Sequence, residues 1–524
     1  MIMAATFRAD IRKCTDADIL GDMQDPLHPN DTFLDGELLE RHAALACGMI
    51  RRYWESLATR PVSSEIKPGV IYRSMPDAAP DIGLGGGSFE ESLRIIERDF
   101  VPALTHWQSP NFFAFFPANI STPAVIGELL SAGLGVQGML WATSPACTEV
   151  EMRVTDWLAT MVGLPTAFHS SSSNGGGVIQ GTASEAILAM LHAARHRAKK
   201  RTSNSKPHLT AYASTQAHSS FIKAAMISGF AAHPEDFEHV RLIETDQHHA
   251  MDSTRLRESM IADITQGRVP CFVCATLGTT SSGASDDLHA IADACDECAR
   301  LTGVRPWIHI DAAWLGSAFI LPEMRQPMRG VEHADSFAFN PHKWMLVNFD
   351  CDCLFVSDRK SLVDSMSVTP EYLRNAATES GEVTDYRDWH VPLGRRFRAL
   401  KLWLVIRHFG VRGLQQYIQR HLEFAREFET FVRSDNRFEI ACPVNASLVC
   451  FALKSGDAAT KKLIDRVNAR RNIMLTQTVL PASANTPKRF VIRMAIGAAL
   501  TRREHVLGAW KEILACTDEV QPNC

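Results

Sequence analysis

Three short stretches carry residues whose types and spacing could do chemistry. In FAFNPHKWMLVNFD, Lys343 stands among aromatic and aliphatic neighbours, where lost hydration makes an amine a nucleophile toward a carbonyl. The same surroundings suit a lysine that extends past an apolar patch into solvent. In PWIHIDAAW, Asp311 ends an apolar strand-like run ahead of two alanines. Open α/β sheets bind ligands at such strand ends, although a carboxylate there also serves as a helix cap. Residues 175–191, GGGVIQGTASEAILAML, pass from glycines through Gly181, Thr182, Ala183 and Ser184 into a helical pattern. Backbone N–H groups at that helix start, with the helix dipole, would cradle a phosphate; an ordinary turn capped by Thr182 or Ser184 would look the same. The run is neither a Walker A sequence nor G-x-G-x-x-G. Together the three stretches supply an amine for a Schiff base, a carboxylate for a pyridinium nitrogen and a phosphate anchor, the trio that pyridoxal 5'-phosphate requires.

The elements that must position these groups alternate. Between about residues 120 and 400, the apolar runs HLTAYAS, VRLIETD, CFVCATLG, PWIHIDAAW, SFAFNPHKW and CDCLFVSD are separated by stretches of helical composition. That alternation predicts βαβ units and a mostly parallel sheet covered by helices. Residues 35–57 form an amphipathic helical pattern in an N-terminal segment, residues 397–428 a long helix broken at Gly410, and FEIACPV, LVCFALK and RFVIRMAIG strands of a final α/β portion. The expected organisation is an N-terminal helical segment over 1–120, a large domain over 121–400 and a small domain over 401–524. The polar stretch 357–388 is long for a connection and suits a functional lid; it holds Tyr372 and Tyr386.

The chain has 524 residues with 54 Lys+Arg against 59 Asp+Glu, a net charge of −5. It lacks the basic excess of a nucleic-acid binder, so a small molecule is the expected partner. Its first 18 residues contain no apolar stretch fit for a secretory signal. The most apolar segment, 124–140, is interrupted by Glu128 and falls short of the roughly 20 residues of a membrane span. Thirteen irregularly spaced cysteines suit reduced thiols and a cytosolic compartment. Cys271-x2-Cys274 and Cys295-x2-Cys298 have the spacing of a zinc site, which keeps open a different class, a non-catalytic zinc-binding protein. Against it, the first pair lies in a strand-like run, where i and i+3 face opposite ways, and the second in a helical pattern. Neither provides the turn of a zinc knuckle, so no metal ligands are assigned.

In chain order, HWQSPNFFAFFP (106–117), SPACTEVE, GGGVIQGTASE, AHSS (217–220), ATLGTTSSG, HIDAAWLGSA, NPHKW and VPLGRRFRALKLW (391–403) resemble the group II pyridoxal-phosphate decarboxylases, specifically the aromatic-L-amino-acid decarboxylases. The resemblance runs from about residue 30 to the C-terminus. It implies the aspartate-aminotransferase-like fold, known as fold type I, and an obligate homodimer whose active sites take residues from both chains. By that resemblance Lys343 is the Schiff-base lysine, Asp311 pairs with the ring nitrogen, and His218 stacks on the ring. Ala183 and Ser184 hold the phosphate with Ser336, Asn340 and His342, and Thr280 lies close by. Arg387 supports the catalytic loop, on which Tyr372 protonates the substrate carbon after carbon dioxide leaves.

The implied reaction converts an aromatic L-amino acid to its arylalkylamine. Related aldehyde synthases carry phenylalanine at the position of Tyr372, so Tyr372 favours the decarboxylase over that alternative. Gly394 suggests an indolic substrate, tryptophan or 5-hydroxytryptophan, because plant members with serine there favour phenolic ones; tyrosine, dopa and phenylalanine are the alternatives. Trp107, Phe115, Phe116 and Pro117 are the expected aromatic wall, with Met139 on the interface side. Phe115, Met139, Trp314 and Ala338 depart from residues common in the family, which bears on ring specificity and leaves Lys343, Asp311 and His218 untouched.

Overall fold

The computed structural model describes residues 33–79, 89–202, 206–368, 370–482 and 487–521, without the side chain of Tyr372. The chain divides into two units, Met1–Ser109 and Pro110–Cys524. In the first, Asp35 starts helix α1 (Gly36–Ser56) by accepting the Leu38 N–H at 2.9 Å. Such a cap contributes about 1 kcal/mol. Helix α2 (Phe89–Ile95) leads into one π-turn, from which Glu97 receives both ends of the Arg52 guanidinium at 2.9 and 2.7 Å.

In the second unit, β1 (Gly176–Gln180), β2 (Leu209–Ser214), β3 (Val240–Ile243), β4 (Val269–Thr276), β5 (Trp307–Asp311), β6 (Ser336–Phe339) and β7 (Asp352–Val356) form one sheet in the order β1-β7-β6-β5-β4-β2-β3. All run parallel except β7, which is antiparallel to both neighbours. Nearly every strand residue is buried, as a sheet covered on both faces demands. One face packs on α3 (Pro145–Val162) and on the helix Leu288–Thr302, through Leu158, Val162, Ile291 and Cys295. The other packs on α4 (Ala183–Arg201) and α5 (Ser220–Ile227). Ala186, Ala189, Ala193 and Ala194 present a small-residue face there, so α4 approaches the sheet closely. Gly177 is needed for a similar reason, since a Cβ would lie 2.7 Å from the Thr155 Cβ.

Helix α6 (Ala399–Ser434) is interrupted at Gly410, whose φ of 64° and ψ of 172° only glycine adopts easily. Its Leu402 to Leu422 portion packs in the large core, while Ala425, Phe428 and Val432 enter the core beneath the second sheet. That antiparallel sheet is ordered β10-β11-β9-β8, from β8 (Phe438–Ile440), β9 (Leu448–Leu453), β10 (Thr476–Leu480) and β11 (Arg489–Ala495).

The structure separates the cysteine pairs. Cys295 and Cys298 pack on one face of the large sheet, Cys271 and Cys274 on the other. The expectation that Cys271 and Cys274 face opposite ways is corrected by a register shift. Thr210 pairs with Pro270 but Ala211 with Phe272, so Cys271 is an extra, bulged residue that joins Cys274 in one cluster. The stretch 357–388 is not an open loop. It folds as a helix over Arg359–Met366 and short turns at Glu371–Leu373, Ala376–Ser380 and Tyr386–Asp388. Tyr386 is buried, donating its hydroxyl to the Gly177 carbonyl at 2.9 Å. No described helix is long and apolar enough to cross a membrane.

Candidate active site

The parallel strands deliver their chemistry at one edge of the sheet, beyond their C-terminal ends. Asp311 is the last residue of β5, Asn340 follows β6 and opens the turn Pro341–Trp344 that carries Lys343, and Gly181 to Ser184 link β1 to α4. The loop after β2 brings His218, and that after β4 brings Gly278 and Thr280. All of these but Gly181 line one cavity of about 210 Å³ together with Phe116, Trp314, His342 and Phe349. This is the crevice in which doubly wound sheets hold ligands.

Burial holds the Lys343 amine below the ordinary lysine range; Asp311 and Asp352 oppose that shift, and Arg493 adds to it. The group is therefore poised toward the neutral, nucleophilic form. Asp311 is buried, and its Oδ1 accepts the Ala313 N–H at 3.0 Å. His218 Nδ1 accepts the Ser220 N–H at 3.2 Å and lies 2.8 Å from the Ser220 hydroxyl, so the neutral ring carries its proton on Nε2. Burial lowers the His218 pKa, with Asp311 opposing and Lys343 reinforcing. Burial likewise pushes His342 down to about 3, and its Nδ1 accepts the Cys351 N–H at 3.0 Å.

Thr182 makes no side-chain cap on the 19-residue α4, so its first-turn N–H groups, at Ala183 and Ser184, are not consumed by a cap. Thr276 Oγ1 and Asn340 Oδ1 line the cavity as buried polar atoms without a protein partner. A polar ligand with an anionic end, an aldehyde and a basic ring nitrogen fits this donor set: helix N-terminus, amine, carboxylate and imidazole.

An aromatic stack closes one side. Phe116 lies on Trp314 at 4.2 Å, Trp314 on Trp344 at 5.4 Å, and Trp344 donates from Nε1 to His421 Nδ1 at 2.9 Å. Lys343 Nζ stands 5.8 Å from the Phe116 ring centre, and the buried Arg493 guanidinium 5.1 Å. No sequence pattern marks Arg493, nor Asn119, whose Nδ2 donates to the Lys343 carbonyl at 2.6 Å. Each is drawn in by long-range packing.

Not every expected residue joins this group. Ser336 is corrected: it begins β6, roughly 13 Å of extended chain before Asn340. Its hydroxyl accepts from Trp307 Nε1 at 2.8 Å and faces His309 Nδ1 at 2.9 Å, so it is engaged inside the sheet. Phe115 is half exposed with φ of 53°, and its N–H donates to Thr476 Oγ1. Pro117 packs where Gly497 leaves room for it. Neither lines the cavity. Met139 and Gly394 lie outside it too, in a segment where the Gly138 N–H donates to the Arg395 carbonyl and the Arg387 N–H to that of Met139. Trp107 belongs to the first unit. Ala338 sits mid-sheet beside Asp311. Tyr372 falls in the turn Glu371–Leu373, and its side chain is outside the described residues.

A type I α/β fold with a lysine, an aspartate and a helix N-terminus around one cavity defines a pyridoxal-phosphate enzyme. Residues 68–454 match the family model described as the pyridoxal-dependent decarboxylase conserved domain, and the chain belongs to that family. It is 43% identical to tyrosine decarboxylase 2 of Narcissus pseudonarcissus, over 93% of this chain and 95% of that protein. It is also 43% identical to phenylacetaldehyde synthase of Arabidopsis thaliana, over 92% and 96%. The crystal structure of Oryza sativa TDC with PLP and tryptamine superposes with a TM-score of 0.87 at 39% identity, covering 93% of this chain and 99% of that one. The chain is thus an aromatic amino acid decarboxylase family member whose cofactor is pyridoxal 5'-phosphate.

Proposed function

We propose that this protein decarboxylates an aromatic L-amino acid to the arylalkylamine, with preference for tryptophan or 5-hydroxytryptophan. The observation that carries the reading is the convergence of Lys343, Asp311, His218 and the start of α4 on one cavity walled by Phe116 and Trp314. In this reading Lys343 would hold the cofactor's aldehyde end. Asp311 would pair with its ring nitrogen and His218 would stack on its ring. The N-terminus of α4, with Ala183, Ser184, Asn340 and His342, holds the phosphate, and Thr280 is adjacent. Bound there, the cofactor supplies an electron sink for the pair left behind when carbon dioxide departs.

The remaining work belongs to side chains. Asp311, beside the depressed Lys343 amine, keeps positive charge favourable at the ring. The Phe116–Trp314 stack holds the substrate ring by apolar contact and excludes water. Arg493, buried behind Phe116, backs that ring and donates to Thr476 Oγ1 at 2.9 Å. Tyr372 delivers a proton to the substrate carbon, a step worth about 10²- to 10⁴-fold by general acid catalysis.

The working unit in this reading is a homodimer in the cytosol. Residues 1–120 pack on the partner, and Met139 and Gly394 serve the partner's pocket. Two observations support it: Gly394 and Met139 are not among the residues that line their own chain's cavity, and the described cysteines are all free thiols. The indolic preference rests on Gly394, the residue that the resemblance associates with room for a larger ring. Comparing kcat/KM for tryptophan, 5-hydroxytryptophan, tyrosine, dopa and phenylalanine tests it. Higher values for the two indolic acids are expected; a leading value for tyrosine or dopa would reassign the substrate.

A further inference from the structure

Asp352 is a fully buried carboxyl group that the chemistry above does not use. It opens β7 directly opposite Gln180, the last residue of β1. Residues directly opposite in an antiparallel pair share a face with their Cβ atoms about 5 Å apart. Continuing the β6–β7 register one step past Phe339 and Cys353 brings Asn340 to its other side. Three side chains on three adjacent strands thus form a row behind the cavity edge.

The Asn340 side chain borders the cavity, and between Gln180 and Asp352 the row lacks a donor. Gln180 uses its Nε2 on the Trp389 carbonyl at 2.8 Å, which leaves Oε1 buried without a partner. Both Asp352 oxygens are buried without a partner, as is Asn340 Oδ1. Three of them, Gln180 Oε1 and the two Asp352 oxygens, are sealed side by side, and buried acceptors are not left unpaired without a large penalty. Neither Gln180 nor Asp352 lines the cavity, so a bound cofactor does not reach them. A proton on Asp352 converts one of the acceptors into the missing donor.

The charges around it agree. Asp352 is influenced by Asp311 on β5, Glu185 on α4, Cys351 next to it in sequence, and Lys343. Burial and the first three push its pKa well above the usual carboxylate range, and Lys343 only partly opposes them. Two carboxylates in one dry region do not both ionise.

We infer that Asp352 is carried as a neutral carboxylic acid that donates to Gln180 Oε1, and that it is a positioning residue. It ties the end of β1, and with it the turn leading to the α4 phosphate cradle, to the strand beside the Lys343 turn. By staying neutral it adds no second negative charge beside Asp311 and Lys343. This inference rests on the proposed cofactor site, but its main readout does not depend on turnover.

The test compares wild type, Asp352→Asn and Asp352→Ala by infrared difference spectroscopy and by titration of each apoprotein with pyridoxal 5'-phosphate. At pH 7.5 the wild type should show the carbonyl band of an un-ionised acid, absent from Asp352→Asn. The asparagine variant, which keeps a donor and no charge, should retain cofactor affinity within about twofold, while Asp352→Ala should weaken it about tenfold by orphaning Gln180. Lack of that band, or an asparagine variant as weak as the alanine one, would overturn the inference. If the alanine variant fails to fold, the band and the asparagine titration decide. Failure of all three proteins to bind the cofactor would instead refute the site itself.

Discussion

Asn119 Nδ2 donates to the carbonyl oxygen of Lys343 at 2.6 Å, so a residue far earlier in the chain fixes the backbone that presents the amine. The same amide group donates to the Gly497 carbonyl at 2.9 Å and accepts the Ala499 N–H at 2.9 Å, and the Asn119 N–H holds the His342 carbonyl at 2.9 Å. One buried side chain thereby joins the Lys343 turn to the loop after β11.

Asn119→Ala leaves the Lys343 carbonyl and the Ala499 N–H without partners, while the Gly497 carbonyl keeps only the Tyr417 hydroxyl, at 2.9 Å. Stability should fall by about 2–3 kcal/mol, and cofactor affinity about tenfold as the Lys343 turn loosens. Thermal melts and cofactor titration measure the two effects. Reduced stability with unchanged affinity would mean that Asn119 holds the fold and not the amine.

Phe116→Ala removes the ring that covers Trp314 at 4.2 Å. KM for every aromatic substrate should rise about thirtyfold, since stacking and burial each contribute about 1 kcal/mol. Steady-state kinetics over the substrate panel check this. An unchanged KM would place the ring-binding wall elsewhere.

A Cβ at Gly394 would meet only the Gln137 amide, at 3.3 Å, so Gly394→Ser is tolerated. Its tryptophan-to-tyrosine ratio of kcat/KM should fall about tenfold, the discrimination that small pocket changes provide. Because Gly394 serves the partner's pocket in this account, mixed dimers of Gly394→Ser chains with Lys343→Ala chains should regain the wild-type ratio. Their intact lysine then works against the partner's unchanged glycine. A ratio that stayed at the Gly394→Ser value would place the glycine's influence within its own chain.

Burial pushes His309 down to about 4 and His342, His390 and His421 each down to about 3. Unfolding frees these rings to protonate near 6.5. Their contribution to stability is therefore present above that pH and lost progressively as pH falls toward 4. Each such proton is worth about 1.4 kcal/mol per pH unit. Asp286, raised by burial to about 6, and Asp352 act oppositely, but they are fewer. The melting temperature should decline steadily from pH 7 to pH 5. A flat or rising profile would mean that these imidazoles are not held neutral.

How much the sequence disclosed follows from range. Apolar runs such as HLTAYAS and CFVCATLG were legible as strands because a sheet covered on both faces needs continuous hydrophobicity, and Gly410 was legible as a helix break. Strand β1 was not, because its glycines signal a turn; only the packing against Thr155 shows why they lie in a strand. Lys343, Asp311 and the start of α4 were readable because each carries its own local signature. Asn119, Arg493 and Asp352 were not, since their significance lies in what distant segments bring against them. Ser336 misled for the same reason: the register with His309, invisible locally, commits its hydroxyl to the sheet.

The central claim, amine formation with Tyr372 as the proton donor, is tested most directly by product analysis. Purified holoenzyme and its Tyr372→Phe variant would each be given tryptophan, with amine, aldehyde, ammonia and peroxide scored together. The account predicts amine without stoichiometric peroxide from the wild type, and a shift toward aldehyde, ammonia and peroxide in the variant. Aldehyde with peroxide from the wild type, or undiminished amine from the variant, would contradict it.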